Sequence, residues 1–573
     1  MKRIAVIDKE KCKPTACSHE CSKFCPVNRQ GLDCVKIENK AKIDENLCIG
    51  CGICIKKCPF DAIRIVNLPL IENQRAIHRY GINGFALYGL PILKENSIVG
   101  VIGRNGIGKT TAINILSGKE KPNFEEEIFK ENNLKEFLRG NELIKHFKDI
   151  EKKIVSYKPQ NLSFLSVDLK VMDLLLQRAD ETKIKKLSKE IRAEFLLDKN
   201  LKDLSGGEIQ KIAILFTFLK DADIYFLDEP LAYLDIEERL KISNFIKKKS
   251  EGKTTLLIEH DLLIMDYLTE YLNIFFGVQG VYGIVSGIKS TSYGINSYLE
   301  GFLREENILI RDKPLNFNFN KKHLNDGKII AKWPSFQKSL DAFKLQVSEG
   351  EIKEGHVYGI LGKNGVGKTT FLKCIAGIDE IENKKKINLN LKISYKPQYL
   401  FSDSEEKVFD VVSKEKIKKN LWSSFDLEVL FNRKIKDLSG GELQRFFIAQ
   451  CLSKDADIYF LDEPSAFLDV EERVRLAKVI NDYIKQEGKT AFVIDHDLLL
   501  ISYLADSILL FKGERSKFGK LDYVRDFFSG LSDLLKELDI TIRKDKEINR
   551  PKINKKDSVL DREQKEKNEW VVL

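Results

Sequence analysis

The chain carries one set of phosphate-binding and carboxylate motifs twice, and this internal repeat limits its possible folds more than any other feature. Residues 103–110 match the pattern G-x-x-x-x-G-K-[ST], and residues 362–369 match it again. Each motif follows a short apolar run that indicates a buried strand, at residues 97–102 and 356–361, and opens a helical pattern. A strand, a glycine-rich loop and a helix in this order predict two α/β domains, each built on a parallel sheet.

The glycine-rich loops predict that each domain binds the phosphates of a nucleotide. Glycines at these positions let backbone N–H groups surround phosphate oxygens at the start of a helix. The lysine of the motif reaches the β- and γ-phosphates, and the threonine hydroxyl that follows it holds Mg²⁺. The candidate residues are Asn105, Gly106, Gly108, Lys109, Thr110 and Thr111 in the first loop, and Asn364, Gly365, Gly367, Lys368, Thr369 and Thr370 in the second.

Two further strands, each ending in paired carboxylates, complete the predicted catalytic machinery. Residues 224–230 and 458–464 share the sequence I-Y-F-L-D-E-P. We expect Asp228 and Asp462 to support Mg²⁺. We expect Glu229 and Glu463 to act as bases that polarise the attacking water. One phosphate loop alone could belong to a kinase or a GTPase. Because each of the two loops has its own carboxylate strand, the motifs predict two catalytic nucleotide sites.

The spacing of the two motif sets locates an insertion in the first domain. The carboxylate strands recur after 234 residues, whereas the lysines of the two phosphate loops lie 259 residues apart. The excess falls between the phosphate loop and a later Tyr-Lys-Pro-Gln segment, and we place it near residues 121–153. Two helical runs there, around residues 133–138 and 142–152, meet at Arg139-Gly140-Asn141 and predict a helix–loop–helix.

Nine of the eleven cysteines lie before residue 60, and their spacing predicts iron–sulfur chemistry. Cys48, Cys51, Cys54 and Cys58 follow C-x2-C-x2-C-x3-C with a proline next, which is the ferredoxin spacing for a 4Fe–4S cluster. A zinc site, the main alternative, usually uses two separated C-x2-C pairs. A cysteine-rich segment in a chain without a secretory signal indicates metal binding more than disulfides.

A second, looser run, C-x4-C-x3-C-x3-C-P, precedes the first and predicts a second cluster. In two-cluster ferredoxins the fourth cysteine of each run ligates the other cluster. We therefore assign Cys12, Cys17, Cys21 and Cys58 to one 4Fe–4S cluster, and Cys48, Cys51, Cys54 and Cys25 to the other. We expect Cys34 to be a small buried residue and not a ligand, and Cys374 and Cys451 to be ordinary core residues.

The charge and hydropathy of the chain argue against secretion and membrane insertion. Lys and Arg number 95 and Asp and Glu 86, a net charge of +9 that permits RNA or phosphate partners without demanding them. The excess is sharper in residues 1–70, with 13 basic and 8 acidic side chains. The start of the chain lacks an apolar signal-peptide core. The most apolar long stretch, residues 272–288, contains four glycines and predicts a hairpin of two buried strands. We expect a cytoplasmic protein with no membrane segment.

The sequence L-S-G-G-E occurs ahead of each carboxylate strand, at residues 204–208 and 438–442. It is the signature of ATP-binding-cassette (ABC) ATPases, which the chain resembles, and the accessory motifs of that family are present too. Gln160 and Gln398 resemble Q-loop residues, Asp235 and Asp469 resemble D-loop residues, and His260 and His496 resemble switch histidines. The signature residues expected to contact nucleotide are Ser205, Gly206, Gly207, Ser439, Gly440 and Gly441.

Tandem ABC domains behind a ferredoxin-like module, with no membrane domain, resemble the ABC E subfamily of ribosome recycling ATPases, also called the RNase L inhibitor family. The resemblance covers essentially the whole chain, but Asp495 stands where a Glu is more usual and Trp333 where the family tends to have Tyr. It implies an α/β fold class, with two tandem ABC-type P-loop ATPase domains preceded by a small two-cluster ferredoxin-like α+β module. The expected division is the module at 1–72, a first ABC domain at 73–290, a hinge at 291–313, a second ABC domain at 314–538 and a C-terminal hinge and tail at 539–573.

The resemblance implies that the two ABC domains face each other head to tail and share two ATP sites. Each nucleotide then lies between the phosphate loop of one domain and the signature of the other, so that ATP stabilises the closed arrangement. Tyr80 or Phe85 in the first domain, and Trp333 or Phe343 in the second, are candidates to stack on adenine.

The resemblance also implies a function. Members of this family split ribosomes into subunits after termination or rescue, and closure of the ABC domains moves the iron–sulfur module. The implied cofactors are two 4Fe–4S clusters, ATP and Mg²⁺. The implied partners are the small ribosomal subunit and the 70S- or 80S-type ribosome, a termination or rescue factor of the release factor 1 or Pelota type and, as further candidates, initiation factors.

Two other classes of function compete with this interpretation. One is an ATPase that gates electron transfer through its clusters, although the sequence has no flavin motif or further cluster motif. The other is an ABC transport or DNA-repair ATPase, which would need membrane segments or long heptad helices between the halves of a domain.

Overall fold

A computed structural model describes residues 2–8, 11–45, 47–68, 76–81, 84–124, 143–315, 327–340, 342–382, 385–398, 400 and 402–573. The first helical run predicted in the insertion, residues 133–138, and its loop at 139–141 lie outside these ranges. The second run includes the helix Leu143–Asp149, which is followed by a 3-10 turn at Ile150–Lys152. No helix in the described ranges combines the length and the apolar character that a bilayer span requires.

The N-terminal module is a small α+β unit whose two end strands pair with each other. Strand β1 (Lys2–Ile7) runs antiparallel to β4 (Ile63–Leu68), and a hairpin lies between them in sequence, formed by β2 (Val35–Ile37) and β3 (Ala41–Ile43). Its helices are Glu20–Lys23, Pro26–Arg29 and Ile53–Lys57. Several cysteines belong to the buried core of the module, so cysteine side chains supply much of its interior.

The first ABC domain is built on one mixed sheet. Its strands are β5 (His78–Arg79), β6 (Ala86–Tyr88), β7 (Ile98–Ile102), β8 (Val155–Lys158), β9 (Ile224–Asp228), β10 (Thr254–Ile258), β11 (Tyr271–Val278), β12 (Tyr282–Val285) and β13 (Lys289–Ser290). They lie in the order β5-β6-β12-β11-β7-β10-β9-β8, with β13 beside β11. Its helices are Lys109–Leu116, Val171–Leu176, Glu181–Glu190, Gly206–Leu219, Ile236–Lys249 and Leu262–Leu268. The antiparallel pairing of β11 with β12 confirms the hairpin predicted in residues 272–288.

The second ABC domain repeats this sheet. Its strands are β17 (Phe336–Leu340), β18 (Phe343–Val347), β20 (Val357–Gly362), β21 (Ile393–Lys396), β22 (Ile458–Asp462), β23 (Thr490–Ile494), β24 (Ser507–Glu514) and β25 (Phe518–Asp526), and a separate pair is formed by β16 (Ile329–Trp333) and β19 (Gly350–Lys353). The order β17-β18-β25-β24-β20-β23-β22-β21 matches the first sheet strand for strand. Its helices are Lys368–Ile375, Val408–Lys414, Lys419–Ser424, Gly440–Ser453, Val470–Gln486, Leu498–Leu504 and Phe527–Leu538.

The central strands of both sheets explain why the catalytic loops lie at one edge. β7 and β20 pair in parallel with β10 and β23, and every residue of these four strands is buried. Parallel strands covered on both faces read as continuous apolar runs, as these do. Because the strands run in the same direction, the loops at their carboxyl ends meet at one edge of the sheet, where ligands bind in such folds.

The segments after each ABC domain are folded as well. The region expected to be a hinge consists of the helix Thr291–Glu300 and a hairpin of β14 (Phe302–Leu303) and β15 (Ile308–Leu309). The C-terminal tail forms a three-stranded sheet of β26 (Ile542–Lys544), β27 (Pro551–Ile553) and β28 (Val571–Val572) with the helix Val559–Glu566. Arg550, at the start of β27, is buried and donates to Asp266 Oδ2 at 2.8 Å. The tail therefore packs on the first ABC domain although it follows the second in sequence.

Candidate active site: two composite nucleotide sites

The two phosphate loops have the same internal geometry, with the lysine folded back over the loop. Lys109 Nζ donates to the carbonyl oxygens of Gly103 and Arg104, both at 2.7 Å. Lys368 Nζ makes the same bonds to Gly362 and Lys363, also at 2.7 Å. Burial lowers the pKa of both lysines, to about 8 for Lys368. A lysine held in this position is ready to exchange its carbonyl partners for phosphate oxygens.

The residues predicted to hold Mg²⁺ lie together in both domains. Thr110 Oγ1 donates to Asp228 Oδ2 at 2.9 Å, and Thr369 Oγ1 donates to Asp462 Oδ2 at 2.7 Å. Burial, followed by the charge of Glu229, raises the pKa of Asp228 to about 6. Asp462 Oδ1 is buried, and no donor in the described ranges reaches it. A hydroxyl beside a buried carboxylate fits a hard divalent cation, whose preferred ligands are oxygens.

Each candidate catalytic glutamate is held by a Q-loop glutamine and a switch histidine. Glu229 Oε1 accepts a hydrogen bond from Gln160 Nε2 at 2.8 Å and lies 3.3 Å from His260 Nε2. Its backbone has φ of +46°, in the left-handed region that is unfavourable for residues with a side chain. Burial opposes ionisation, but His260 and Lys109 outweigh it and lower the pKa of Glu229 to about 2. The Glu229 carboxylate is therefore ionised, and Gln160 and His260 hold it in one orientation.

The second domain reproduces this arrangement closely. Glu463 Oε1 accepts from Gln398 Nε2 at 2.7 Å and lies 3.4 Å from His496 Nε2. Its φ is +47°, and burial, His496 and Gln398 together leave its pKa at about 2. Sequence reasoning placed both glutamines and both histidines near their carboxylates, and the structure brings all of them into contact.

Two lysines that sequence reasoning passed over support the carboxylate strands. Lys158 Nζ donates to the carbonyl oxygens of Asp228 at 2.8 Å and Glu229 at 2.9 Å. Lys396 Nζ binds Asp462 O and Glu463 O in the same way, at 2.8 and 3.3 Å. Burial lowers the pKa of each to about 8. Both lysines belong to the repeated Tyr-Lys-Pro-Gln segment. A charged residue that recurs at the end of the same strand in both domains was the signal that could have identified them.

Each L-S-G-G-E signature begins a helix through a capping box. Ser205 precedes the helix Gly206–Leu219, and its N–H donates to Glu208 Oε2 at 2.9 Å. Ser439 and Glu442 make the equivalent bond at 2.8 Å before the helix Gly440–Ser453. A serine at the cap with a glutamate three residues later satisfies free N–H groups of the first turn. The two signature glycines therefore lie in the first turn of a helix, whose end favours anions.

A cavity of about 730 Å³ joins the first phosphate loop to the second signature. The first domain contributes Asn105 and Gly106 from the loop together with its catalytic residues, and the second contributes its signature. The predicted site residues along this cavity are Asn105, Gly106, Gln160, Gly206, Glu229, His260, Ser439, Gly440, Gly441, Glu463 and His496. The structure thus brings the first phosphate loop and the second signature together, as the head-to-tail arrangement requires.

The D-loop aspartates cross between the domains. Asp469 Oδ2 accepts the backbone N–H of Asn105 at 2.9 Å, and Asp235 Oδ2 accepts that of Asn364 at 2.8 Å. At the second site, Arg515 donates to Ser205 Oγ at 3.4 Å across the domains. A backbone N–H group of each phosphate loop therefore donates a hydrogen bond to the D-loop aspartate of the opposite domain.

The candidate aromatic residues are placed differently in the two domains. Tyr80 is 45% exposed, and its hydroxyl lies 3.3 Å from Thr111 Oγ1 on the phosphate-loop helix. Phe85 and Phe343 lie against the loops, because a Cβ built on Gly108 or Gly367 would come within 2.6 or 3.0 Å of their rings. Tyr80 and Phe85 thus border the first site, and Phe343 borders the second.

The expectation that Trp333 could stack on adenine is wrong. Its side chain is 1% exposed, packs edge-on against Phe371 and Phe492, and donates its ring N–H to Ser348 O at 3.0 Å. Trp333 lies on β16 and is enclosed by core residues from other elements, so its ring has no free face for a ligand. In the hairpin of β17 and β18, Leu340 lies opposite Phe343. Tyr80 lies opposite Phe85 in the same way in the first domain, so the position of Tyr80 carries no aromatic ring in the second domain.

The cysteines of the N-terminal module form two groups that cross between the two sequence runs. Cys21 lies near Cys12, Cys17 and Cys58, and burial together with these thiols raises the pKa of Cys21 to about 11. Backbone N–H groups of Ala41 and Ala62 point at the sulfurs of Cys12 and Cys58, at 3.5 and 3.4 Å. Such N–H···S contacts are a recurrent feature of protein-bound iron–sulfur clusters.

The second group surrounds a small cavity. Cys25, Cys48, Cys51 and Cys54 line it, and the N–H of Ala5 points at Cys48 Sγ at 3.3 Å. Cys34 is buried as expected, but it also borders this cavity beside Cys25 and Cys48. In the described ranges, no three His, Cys, Asp or Glu side chains converge on a point that would hold one metal ion. A 4Fe–4S cluster is ligated by four thiolates, which is the number of cysteines in each predicted ligand group.

Cys374 and Cys451 are buried at 0% and 3% exposure in the second ABC domain. They are core residues, as expected.

Family models match most of these regions. The model described as "ABC transporter" matches residues 92–232 and 345–466. The model "Possible Fer4-like domain in RNase L inhibitor, RLI" matches residues 3–32, and "4Fe-4S binding domain" matches residues 41–64. The ferredoxin-like region ahead of two ABC ATPase domains is thereby confirmed.

Relatives and solved structures share this architecture over their whole length. An uncharacterized ABC transporter ATP-binding protein of Methanocaldococcus jannaschii is 42% identical over 99% of this chain and 97% of its own length. "ABC transporter E family member 1" of Arabidopsis thaliana is 38% identical over 100% of this chain and 99% of its own.

Among solved structures, "Model of ribosome-bound archaeal Pelota and ABCE1" gives a TM-score of 0.92 at 41% identity, covering 100% of this chain and 99% of that one. The complex of the archaeal ribosomal stalk protein aP1 with the archaeal ribosome recycling factor aABCE1 gives 0.83 at 39%, covering 87% and 99%. With its duplicated ATP machinery and its crossed cysteine groups, the chain is an ABC-type ATPase and belongs to the ABC E family, the RNase L inhibitor family.

Proposed function

We propose that this ATPase is a ribosome recycling factor, in which ATP-dependent closure of the two ABC domains moves the cysteine module and so separates ribosomal subunits. One observation carries the proposal: the module is bonded to both ABC domains. A change in the relative position of those domains must therefore break or shift contacts of the module.

The contacts with the first ABC domain lie beside its nucleotide site. Arg64 Nη2 donates to the carbonyl oxygen of Gln279 at 2.8 Å, and the Gln279 side chain lies over Gly106 of the phosphate loop. Glu45 pairs with Arg79 at 2.7 Å, one residue before Tyr80. The module therefore rests on residues that border bound ATP.

The contacts with the second ABC domain are longer, and both are exposed. Lys11 Nζ donates to Val429 O, and Asn432 Nδ2 donates to Asp61 Oδ2, both at 3.3 Å. Exposed bonds of this length contribute little to stability. They are suited to breaking and re-forming as the domains open and close.

The site geometry supports a catalytic role for the residues of both nucleotide sites. Lys109 and Lys368 hold phosphate oxygens, while Glu229 and Glu463 orient and polarise the attacking water. His260 and His496 contact these glutamates and stabilise the charge that develops on the phosphate, while Gln160 and Gln398 position each glutamate. Ser205 and Ser439, with the glycines that follow them, reach the nucleotide only when the domains are closed. Thr110 with Asp228, and Thr369 with Asp462, would hold Mg²⁺, which would supply positive charge to offset that of the phosphates.

The cofactor, partner and domain assignments are part of the same proposal. Two 4Fe–4S clusters are held by Cys12, Cys17, Cys21 and Cys58 and by Cys25, Cys48, Cys51 and Cys54, and they make a small module rigid. The module occupies residues 1–72, and the two ABC domains occupy residues 73–290 and 314–538. The protein acts in the cytoplasm on the small ribosomal subunit, with a release factor 1 or Pelota type factor as partner and initiation factors as further candidates. The excess of basic residues in the module suits contact with rRNA phosphates.

Sedimentation tests the proposal directly. A variant with Glu229→Gln and Glu463→Gln should bind ATP without hydrolysing it and should sediment with small ribosomal subunits at low salt. The same variant with Lys109→Ala and Lys368→Ala is the matched control, because it should neither hold ATP nor sediment. If the trapped variant stays in the free fraction, the ribosome function is refuted. ATPase and splitting rates that require electron flow through the clusters would instead favour the redox alternative.

A further inference from the structure

The switch loop of the second ABC domain is tied to its own D-loop by a buried carboxylate. Asp495, which precedes the switch histidine His496, accepts the Ser465 N–H on Oδ2 at 3.0 Å and the Ser465 hydroxyl on Oδ1 at 2.7 Å. Asp495 Oδ1 also accepts the N–H of Asp497 at 2.9 Å. Asp495 and Ser465 are 3% and 5% exposed, so water does not compete for these bonds.

The first ABC domain lacks this tie. Leu231 occupies the position of Ser465, and Glu259 occupies the position of Asp495. Glu259 Oε1 accepts the N–H of its neighbour His260 at 2.8 Å, whereas Oε2 is buried and meets no donor in the described ranges. The leucine side chain has no polar atom to offer it. In both domains an arginine also joins the two loops. Arg239 donates to Leu234 O at 2.9 Å and to Asp261 Oδ2 at 3.0 Å. Arg473 donates to Leu468 O and Asp497 Oδ2, both at 2.9 Å. The bonds between Asp495 and Ser465 are therefore an additional link, present in the second domain and missing from the first.

The D-loop that carries Ser465 leads to the other nucleotide site. It ends at Asp469, whose Oδ2 accepts the backbone N–H of Asn105 in the first phosphate loop at 2.9 Å. On the switch loop, His496 contacts the catalytic Glu463 of the second site. A short path of ion-pair, backbone and hydrogen-bond contacts thus runs from the second catalytic glutamate to the first phosphate loop. The reverse path, from His260 to Asp235 and Asn364, lacks the serine bonds because Leu231 replaces the serine, and it relies on the arginine link.

We propose that Asp495 and Ser465 are positioning residues that transmit the nucleotide state of the second site to the phosphate loop of the first, and that the first domain has no equivalent device. The inference rests on ATP hydrolysis at both sites and does not depend on ribosome splitting. When ATP draws His496 toward the γ-phosphate, Asp495 moves with its neighbour, and the Ser465 bonds carry that movement into the D-loop. Without these bonds the two loops are still joined through Arg473, and the movement is transmitted less strongly.

The test measures how strongly turnover at the first site depends on the second site, in purified protein without ribosomes. Glu463→Gln keeps ATP bound at the second site, and Lys368→Ala keeps that site empty. The ratio of first-site turnover in these two backgrounds is the forward coupling factor. Loss of one hydrogen bond to a buried carboxylate should change this ratio about tenfold when Ser465→Ala is added. Ser465→Thr keeps the hydroxyl and should restore it.

The matched control reverses the roles of the sites. Glu229→Gln and Lys109→Ala define the reverse coupling factor, and Leu231→Ala should leave it within about twofold, since no bond is lost. The proposal is overturned if Ser465→Ala leaves the forward factor within twofold, or if it lowers turnover equally in both backgrounds. A forward factor of one in the parent protein, or failure of Ser465→Thr to restore it, would overturn the proposal as well. Failure of ribosome sedimentation would leave these outcomes unaffected.

Discussion

Replacement of Arg550 by alanine should release the C-terminal tail from the first ABC domain. The guanidinium is 1% exposed and pairs with Asp266, which is 4% exposed, at 2.8 Å. It also donates to Asn296 Oδ1 at 3.1 Å on the helix Thr291–Glu300. These contacts join residues more than 250 positions apart in the chain.

The size of the effect follows from the charge of Asp266, which stays buried when Arg550 is removed. Removing one partner of a buried ion pair costs about 3–5 kcal/mol, because the other charge stays buried. Lys552 Nζ lies 3.2 Å from Asp266 Oδ2 and would neutralise part of that charge. We therefore expect a loss of about 2–3 kcal/mol in the local free energy of opening of the tail, which corresponds to about a 30- to 150-fold change in an opening equilibrium.

Hydrogen exchange of individual amides is the appropriate assay, because a multidomain protein has no single unfolding equilibrium. The reporters are the N–H of Asp545, bonded to Arg550 O, and the N–H of Asn554, bonded to Thr541 O. Both should exchange faster by the factor above. Lys556→Ala is the control, because Lys556 and Asp539 form an exposed pair and such pairs contribute little. Exchange that accelerates less than about threefold in Arg550→Ala, or as much in the control, would refute the argument.

One further prediction contrasts Trp333 with Tyr80, and another concerns Asp228. Trp333→Ala should destabilise the second ABC domain by about 3–5 kcal/mol, as for other buried aromatic residues, whereas Tyr80→Ala should weaken nucleotide binding at the first site with little loss of stability. Hydrogen exchange of core amides in the second ABC domain and binding of a fluorescent ATP analogue check this pair, and reversed outcomes would contradict the assigned positions. Asp228 has a folded-state pKa of about 6 against 3.8 for its usual value, so the nucleotide-free folded state holds this proton more tightly than the unfolded chain. Its contribution to stability therefore falls as pH rises from about 4 to 6. Asp228→Asn should remove that slope in the opening free energy of β9 amides measured by hydrogen exchange, and an unchanged slope would count against the raised pKa.

Short motifs were sufficient to predict the parts of each site that depend on local backbone. The loops around Lys109 and Lys368 fold back on their own carbonyl groups within six residues, and the signature serines cap their own helices. The carboxylate strands are wholly apolar up to their aspartates, as a buried parallel strand requires. These features recur in both domains because the same residues recur.

Side chains whose environment depends on distant strands were harder to predict. Trp333 looked like an adenine-stacking residue because a lone aromatic carries no sign of what covers it, and its burial depends on Phe371 and Phe492. Lys158 and Lys396 were not predicted as site residues, yet their ammonium groups bind carbonyls at the end of a neighbouring strand. Burial of this kind is set by the pairing of β8 with β9 and of β21 with β22.

Spacing alone was enough for the two nucleotide-binding domains and the cysteine-rich module, because phosphate and thiolate chemistry needs particular residues at particular intervals. The family came from the resemblance of the L-S-G-G-E signature and the accessory motifs. The paths between the sites needed the folded chain. Asp469 meets Asn105, Asp495 meets Ser465, and Arg550 meets Asp266 only after sheets and helices have packed, across separations of 30 to more than 360 residues. Local patterns restrict dihedral angles and helix ends, whereas contacts of this length are selected by the burial of whole surfaces, which no short window of residues contains.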